Sequence, residues 1–175
     1  MEANFAKALA WLRTSEGGND DDPDDSGGRT SRGITQREYN AYCEMAGLAR
    51  GDVWKAPDEV VNDIYHRSYW NPYCPTLPPG VDYMFFDHAV LAGPHQAIVT
   101  LQRALGVSAD GHIGVVTSAA LVNARPLEIV DRMADGRRAF YNHLVATIPH
   151  DRKFYKGWNS RVSFAQKNAH TLVTE

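Results

Sequence analysis

Apolar residues recur at helical spacing along nearly the whole chain, and glycine or proline interrupts them each time. Phe5, Ala8, Leu9 and Leu12 follow an i, i+3, i+4, i+7 pattern, with Gly17-Gly18 as the stop. Thr35-Gln36-Arg37-Glu38 reads as a capping box opening a second helix that runs to about Gly47. A third opens at Pro57, carries Val61, Ile64, Tyr65 and Tyr69 on one face, and ends before Asn71-Pro72. Val81, Met84, Phe85 and His88 mark a fourth, stopped by Gly93-Pro94; Ile98, Leu101, Gln102 and Leu105 mark a fifth, stopped by Gly106. A tight turn at 109–114 leads into a short helix at 116–122. Leu127, Val130, Met133, Phe140, Tyr141 and Leu144 then give a long helix closed by Pro149, and Trp158 to Leu172 a last one with Val162, Ala165, Ala169 and Leu172 facing inward. No strong alternating pattern marks strands. Residues 19–33 are turn-formers and charges, so a small β-ribbon or irregular loop is expected there, and the fold class is mainly α.

At 175 residues, 43% hydrophobic and 22% charged, the chain suits a compact fold with a sizeable core. Its net charge of -3 hides an asymmetry: residues 1–122 hold nine Lys/Arg against sixteen Asp/Glu, residues 123–175 nine against five. The basic third suits an anionic polymer but is too sparse for nucleic acid. Cys43 and Cys74 stand far apart without metal-ligand spacing and read as buried free thiols. No segment approaches the roughly 18 apolar residues of a membrane span, and the N-terminus lacks the pattern of a signal peptide. The expectation is synthesis in the cytoplasm and no stable membrane insertion.

Glu16 stands four residues after Leu12, so it continues the inward stripe at the end of the first helix. Partial desolvation there, and the negative end of the helix dipole, both raise a carboxyl pKa, as a general acid for glycoside hydrolysis requires. Asp20, Asp21, Asp22, Asp24 and Asp25 follow in one loop, and spacing does not choose which of them faces Glu16. Asp22, Asp24, Ser26 and Gly27 match the opening of a calcium loop, but its twelfth position is Gly33 rather than a bidentate Glu, which argues against an EF-hand. The seven histidines show no HExxH spacing, so neither a zinc site nor another cofactor is expected.

Glu16-Gly17-Gly18-Asn19, then Asp22 through Thr30, then Gly33-Ile34-Thr35 together resemble the signature of glycoside hydrolase family 108, which holds N-acetylmuramidases, many of them phage endolysins. The similarity continues through Tyr69-Trp70-Asn71-Pro72, Phe86-Asp87-His88-Ala89-Val90 and Gly93-Pro94. Leu101 to Val107, Ala109-Asp110-Gly111, Ile113-Gly114, Thr117, and Phe154 to Val162 resemble the peptidoglycan-binding region that accompanies the family. Asn19 departs from a common aromatic and Ser26 from a common proline; both bear on loop shape and leave the acid untouched.

The resemblance implies a lysozyme-like helical fold, with a catalytic region over 1–92 and a helical peptidoglycan-binding region over 93–175 packed with it as one unit. It places the acid at Glu16, with Asp25 or Asp22 and Thr30 holding a water. Tyr69, Trp70, Tyr73 and Asp87 are the expected substrate-binding residues, although aromatic residues at helical spacing serve a core equally well, and Asp87 suits a structural pair as readily. The implied partner is the peptidoglycan glycan strand, reached in the periplasm after holin-assisted release, by a monomer. A peptidoglycan-binding module without catalysis is the alternative.

Overall fold

The computed structural model describes residues 4–15, 19–20 and 29–174 of the chain, which are mainly helical with a small ribbon after the first helix. Helix α1 spans Phe5–Ser15 and buries Ala8, Leu9 and Leu12, the stripe its spacing predicts. Three two-residue strands follow: β1 (Asn19–Asp20), β2 (Thr30–Ser31) and β3 (Ile34–Thr35), antiparallel in that order. Asn19 faces Ser31, Asp20 faces Thr30, and Ser31 faces Ile34.

Helix α2 (Gln36–Ala46) starts at the expected capping box: Thr35 accepts from the Glu38 backbone N–H while the Glu38 carboxylate takes the Thr35 N–H at 2.9 Å. Gly47 closes it in a left-handed conformation, φ 68°, where a side chain is strained. Helix α3 (Asp58–Tyr65) runs directly into a π-helical turn at His66–Trp70, a widening that the sequence pattern did not signal.

Helix α4 (Val81–Ala92) is the centre of the molecule. Every residue from Val81 to Ala89 is buried, as expected for a helix covered on all sides. Around it pack α1, α5 (Pro94–Leu105), α7 (Pro126–Thr147) and α8 (Tyr155–Thr174), while α6 (Val115–Val122) rests on α5. One apolar cluster includes Leu12 of α1, Phe85 of α4, Met133 of α7 and Leu172 of α8, so both halves of the chain contribute to the same core. Gly80, at φ 81°, lets the start of α4 approach α8. A Cβ there would lie 2.4 Å from Val173 Cγ2 and 2.5 Å from the Ala169 carbonyl oxygen.

Helix α8 begins three residues earlier than its apolar pattern predicts, after a 3-10 segment at Pro149–Phe154. Cys43 and Cys74 are buried free thiols. Among the described residues no helix is long and apolar enough to cross a membrane, and no cluster of metal-ligating side chains occurs.

Candidate active site

The sequence directs attention to the junction of α1 and the ribbon. Glu16, Asp22 and Asp25 lie outside the described residues; the segments that bracket them are described. Helix α1 ends at Ser15, β1 begins at Asn19, and β1 pairs with β2, which carries Thr30.

Thr30 is half-buried and held from behind by a polar brace. Arg29 grips Asp52 with two hydrogen bonds, 3.1 Å from Nε and 2.9 Å from Nη2, and its guanidinium lies 3.6 Å over the ring of Trp54. The Trp54 indole N–H donates to the Thr30 carbonyl at 3.0 Å, and the Arg29 carbonyl accepts from Gln36 N–H at 2.8 Å. Asp52 also accepts from the Trp54 backbone N–H; that bond first, and Arg29 with it, hold its carboxyl below the usual range. Two side chains and one ring thus hold β2 to the 3-10 turn at Val53–Lys55.

The other edge of the ribbon is fixed by Arg32. Its backbone has φ 50°, an uncommon conformation for a residue with a side chain. The Arg32 guanidinium pairs with Asp58 and donates to the Ala56 carbonyl at 2.7 Å, while Tyr65 donates its hydroxyl to the Arg32 carbonyl. Arg13, near the end of α1, reaches the same place, donating to Asn62 Oδ1 at 2.6 Å and lying 3.8 Å from Asp58. The end of α1, the ribbon and the start of α3 are therefore tied by Asp58 and its two arginines.

The four expected substrate-binding residues occupy different environments. Tyr73 is half-buried, its ring 5.3 Å from Phe85. Tyr69 is buried and donates its hydroxyl to Glu38, so it supports the capping box of α2. Trp70 exposes no surface, its ring 5.4 Å from both Phe5 and Phe86. Asp87 likewise exposes none: Arg137 of α7 donates to one oxygen at 2.6 Å and Arg161 of α8 to the other at 3.0 Å. Burial drives the Asp87 carboxyl upward, but Arg161 and Arg137 outweigh it and hold the carboxyl below its ordinary value. A side chain enclosed in this way reaches no ligand from this conformation; Trp70 and Asp87 hold together the helices behind the junction.

Sequence reasoning missed the partners of Asp87, because arginine is ordinarily a surface residue. The signal was present: Arg137 falls four residues after Met133 and four before Tyr141, on the buried face of α7. His88 fits its expected core role, with Nε2 3.2 Å from Thr100 Oγ1; burial first, then the two nearby arginines, push its pKa well below the ordinary value, so it is neutral.

Comparison with known proteins concerns the chain as a whole. The model of the family described as glycosyl hydrolase 108 matches residues 9–93, and that described as a predicted peptidoglycan domain matches residues 96–163. The solved structure titled "Structure of Brucella abortus SagA" is 33% identical, with a TM-score of 0.83, covering 100% of this chain and 98% of that one. No curated protein matches the chain. With that whole-chain similarity and the two family regions in order along the sequence, the chain belongs to glycosyl hydrolase family 108 and carries a peptidoglycan domain after its hydrolase region.

Proposed function

We propose that this protein is a muramidase that hydrolyses the β-1,4 bond between N-acetylmuramic acid and N-acetylglucosamine in peptidoglycan, with Glu16 as the general acid. The observation that carries the reading is the hydrolase-family match over residues 9–93, which spans the end of α1, Glu16 and the ribbon with Thr30. The Glu16 carboxyl gives its proton to the glycosidic oxygen as the C1–O bond breaks. A water positioned by Asp25 or Asp22 and by Thr30 then adds to C1, and its proton passes to the aspartate. Tyr73 lines the saccharide groove, and Tyr69, Trp70 and Asp87 act from behind it by fixing the wall. Residues 1–92 form the catalytic region and residues 93–175 the wall-binding region of one compact monomer.

The peptidoglycan-domain match is the observation behind a second reading, a wall-binding protein without catalysis. Glu16→Gln separates the two. The muramidase reading expects a folded variant that clears no cell-wall suspension while the unsubstituted protein does; equal clearing by both refutes the assignment of the acid. The setting consistent with such an enzyme is that of a phage-type endolysin, made in the cytoplasm and reaching periplasmic peptidoglycan through a holin.

A further inference from the structure

Trp54 stands 24 residues after Thr30 in sequence, yet its indole is fixed against the strand that carries Thr30. The side chain is 37% exposed, so burial alone does not hold it. Polar contacts do. The Arg29 guanidinium lies 3.6 Å over the ring, Asp52 fixes that guanidinium with two bonds, and the same carboxylate accepts from the Trp54 backbone N–H at 3.0 Å. Beneath them Val53 is fully buried. Its backbone N–H donates to Gln36 Oε1 at 2.9 Å, and Gln36 Nε2 donates to the Gly51 carbonyl at 2.8 Å. The turn that presents Trp54 is thereby fastened to the first residue of α2.

The consequence falls on Thr30. A peptide unit is planar, so the two peptide planes that meet at a Cα set the direction of its Cα–Cβ bond. The plane before Thr30 is held by the Gln36 N–H on the Arg29 carbonyl at 2.8 Å, and the plane after it by the Trp54 indole N–H on the Thr30 carbonyl at 3.0 Å. A β-branched side chain then has few rotamers left, and the hydroxyl follows the backbone. The first of these bonds is made by main chain alone; the second depends on one side chain.

We propose that Trp54 is a positioning residue for catalysis, its indole N–H setting the carbonyl of Thr30 and, through it, the hydroxyl that holds the attacking water. The inference rests on the function proposed above and on the part Thr30 plays in it. Moving a group that aligns a nucleophile costs rate rather than substrate affinity, up to about a hundredfold for a shift of about 1 Å.

The whole chain and three variants are compared by reducing-end release from soluble peptidoglycan fragments. Trp54→Phe keeps a ring for Arg29 and loses the N–H, Thr30→Val loses the hydroxyl, and the third variant carries both. Trp54→Phe is expected to lower kcat about tenfold at unchanged KM. The double variant is expected to be no slower than Thr30→Val, because a residue that acts through the hydroxyl has nothing to act on once it is gone. A loss that multiplies with that of Thr30→Val marks a purely structural role and overturns the proposal. An unchanged kcat overturns it too, as does a raised KM at normal kcat, which would make the indole a saccharide contact. If Trp54→Phe does not fold, Arg29→Lys takes its place in the same comparison with the same outcomes, since it leaves the N–H but removes the stacked plane and the paired bonds that hold the indole. Failure of the underlying reading shows separately. No release by the unsubstituted protein removes the muramidase, and a normal rate in Thr30→Val removes Thr30 from the mechanism, each taking the proposal with it; a slowed Thr30→Val beside an unimpaired Trp54→Phe removes the positioning role alone.

Discussion

Replacing Asp87 with Asn removes the negative charge between two arginines while keeping the shape of the side chain. Arg137 has no exposed side-chain surface and Arg161 is 9% exposed, so Arg161 turns to water more readily and the cost falls mainly on Arg137. Leaving one partner of a buried pair uncompensated costs about 3–5 kcal/mol, and an asparagine oxygen that still accepts a hydrogen bond puts this case near the lower end, about 3 kcal/mol. That is a large share of the roughly 5–15 kcal/mol by which a domain is stable, and it corresponds to a fall in melting temperature of about 6–12 °C at this chain length. Urea titration followed by circular dichroism gives the value, with the slope unchanged if only stability has moved. The reasoning makes a second demand: Asp87→Leu combined with Arg137→Met, which buries no lone charge on α7, is more stable than Asp87→Leu alone. A loss below about 1 kcal/mol for Asp87→Asn, or a double variant no better than the single, refutes the account of this triad as the link between α4, α7 and α8.

Three further perturbations follow from the geometry. His88 is held neutral, so its folded pKa lies below the ordinary 6.5 and its contribution is complete above that pH and lost as pH falls; stability declines by about 1.4 kcal/mol per pH unit below it. Titrations of the parent and of His88→Gln at pH 7, 6 and 5 check this, with the slope reduced by one proton in the variant. Gly80→Ala forces a side chain into a left-handed backbone and against the Ala169 carbonyl, and should cost about 2–4 kcal/mol by urea titration. Thr35→Ala removes the cap of α2 and should cost about 1 kcal/mol in the same assay.

The helices were legible wherever local chemistry decides them. The Thr35 and Glu38 pair and the glycines at 47 and 106 bound α2 and α5 to within a residue of the expected limits, because capping groups and left-handed turns act over a few residues. The first turn of α8 was not legible, since Tyr155, Lys156 and Gly157 are exposed and supply no inward stripe. The π-helical turn at His66–Trp70 was hidden for another reason: it follows α3 without a gap or a breaking residue, and only packing reveals the extra residue in the turn. Within the candidate site, the inward stripe of α1 up to Leu12 and the ribbon with Thr30 were readable, whereas the burial of Trp70 depends on Phe5 of α1 and Phe86 of α4, and that of Asp87 on Arg137 and Arg161, 50 and 74 residues away in sequence. An aromatic residue or a carboxylate in a motif reads the same whether it faces ligand or core; long-range packing decides.

Mass analysis of sacculi digested by the protein tests the central claim most directly. A muramidase assisted by Glu16 leaves N-acetylmuramic acid at the new reducing ends, with one water taken up for each bond cut. Reducing ends of N-acetylglucosamine, or anhydro sugars lacking that water, would contradict the proposed bond and the proposed hydrolysis.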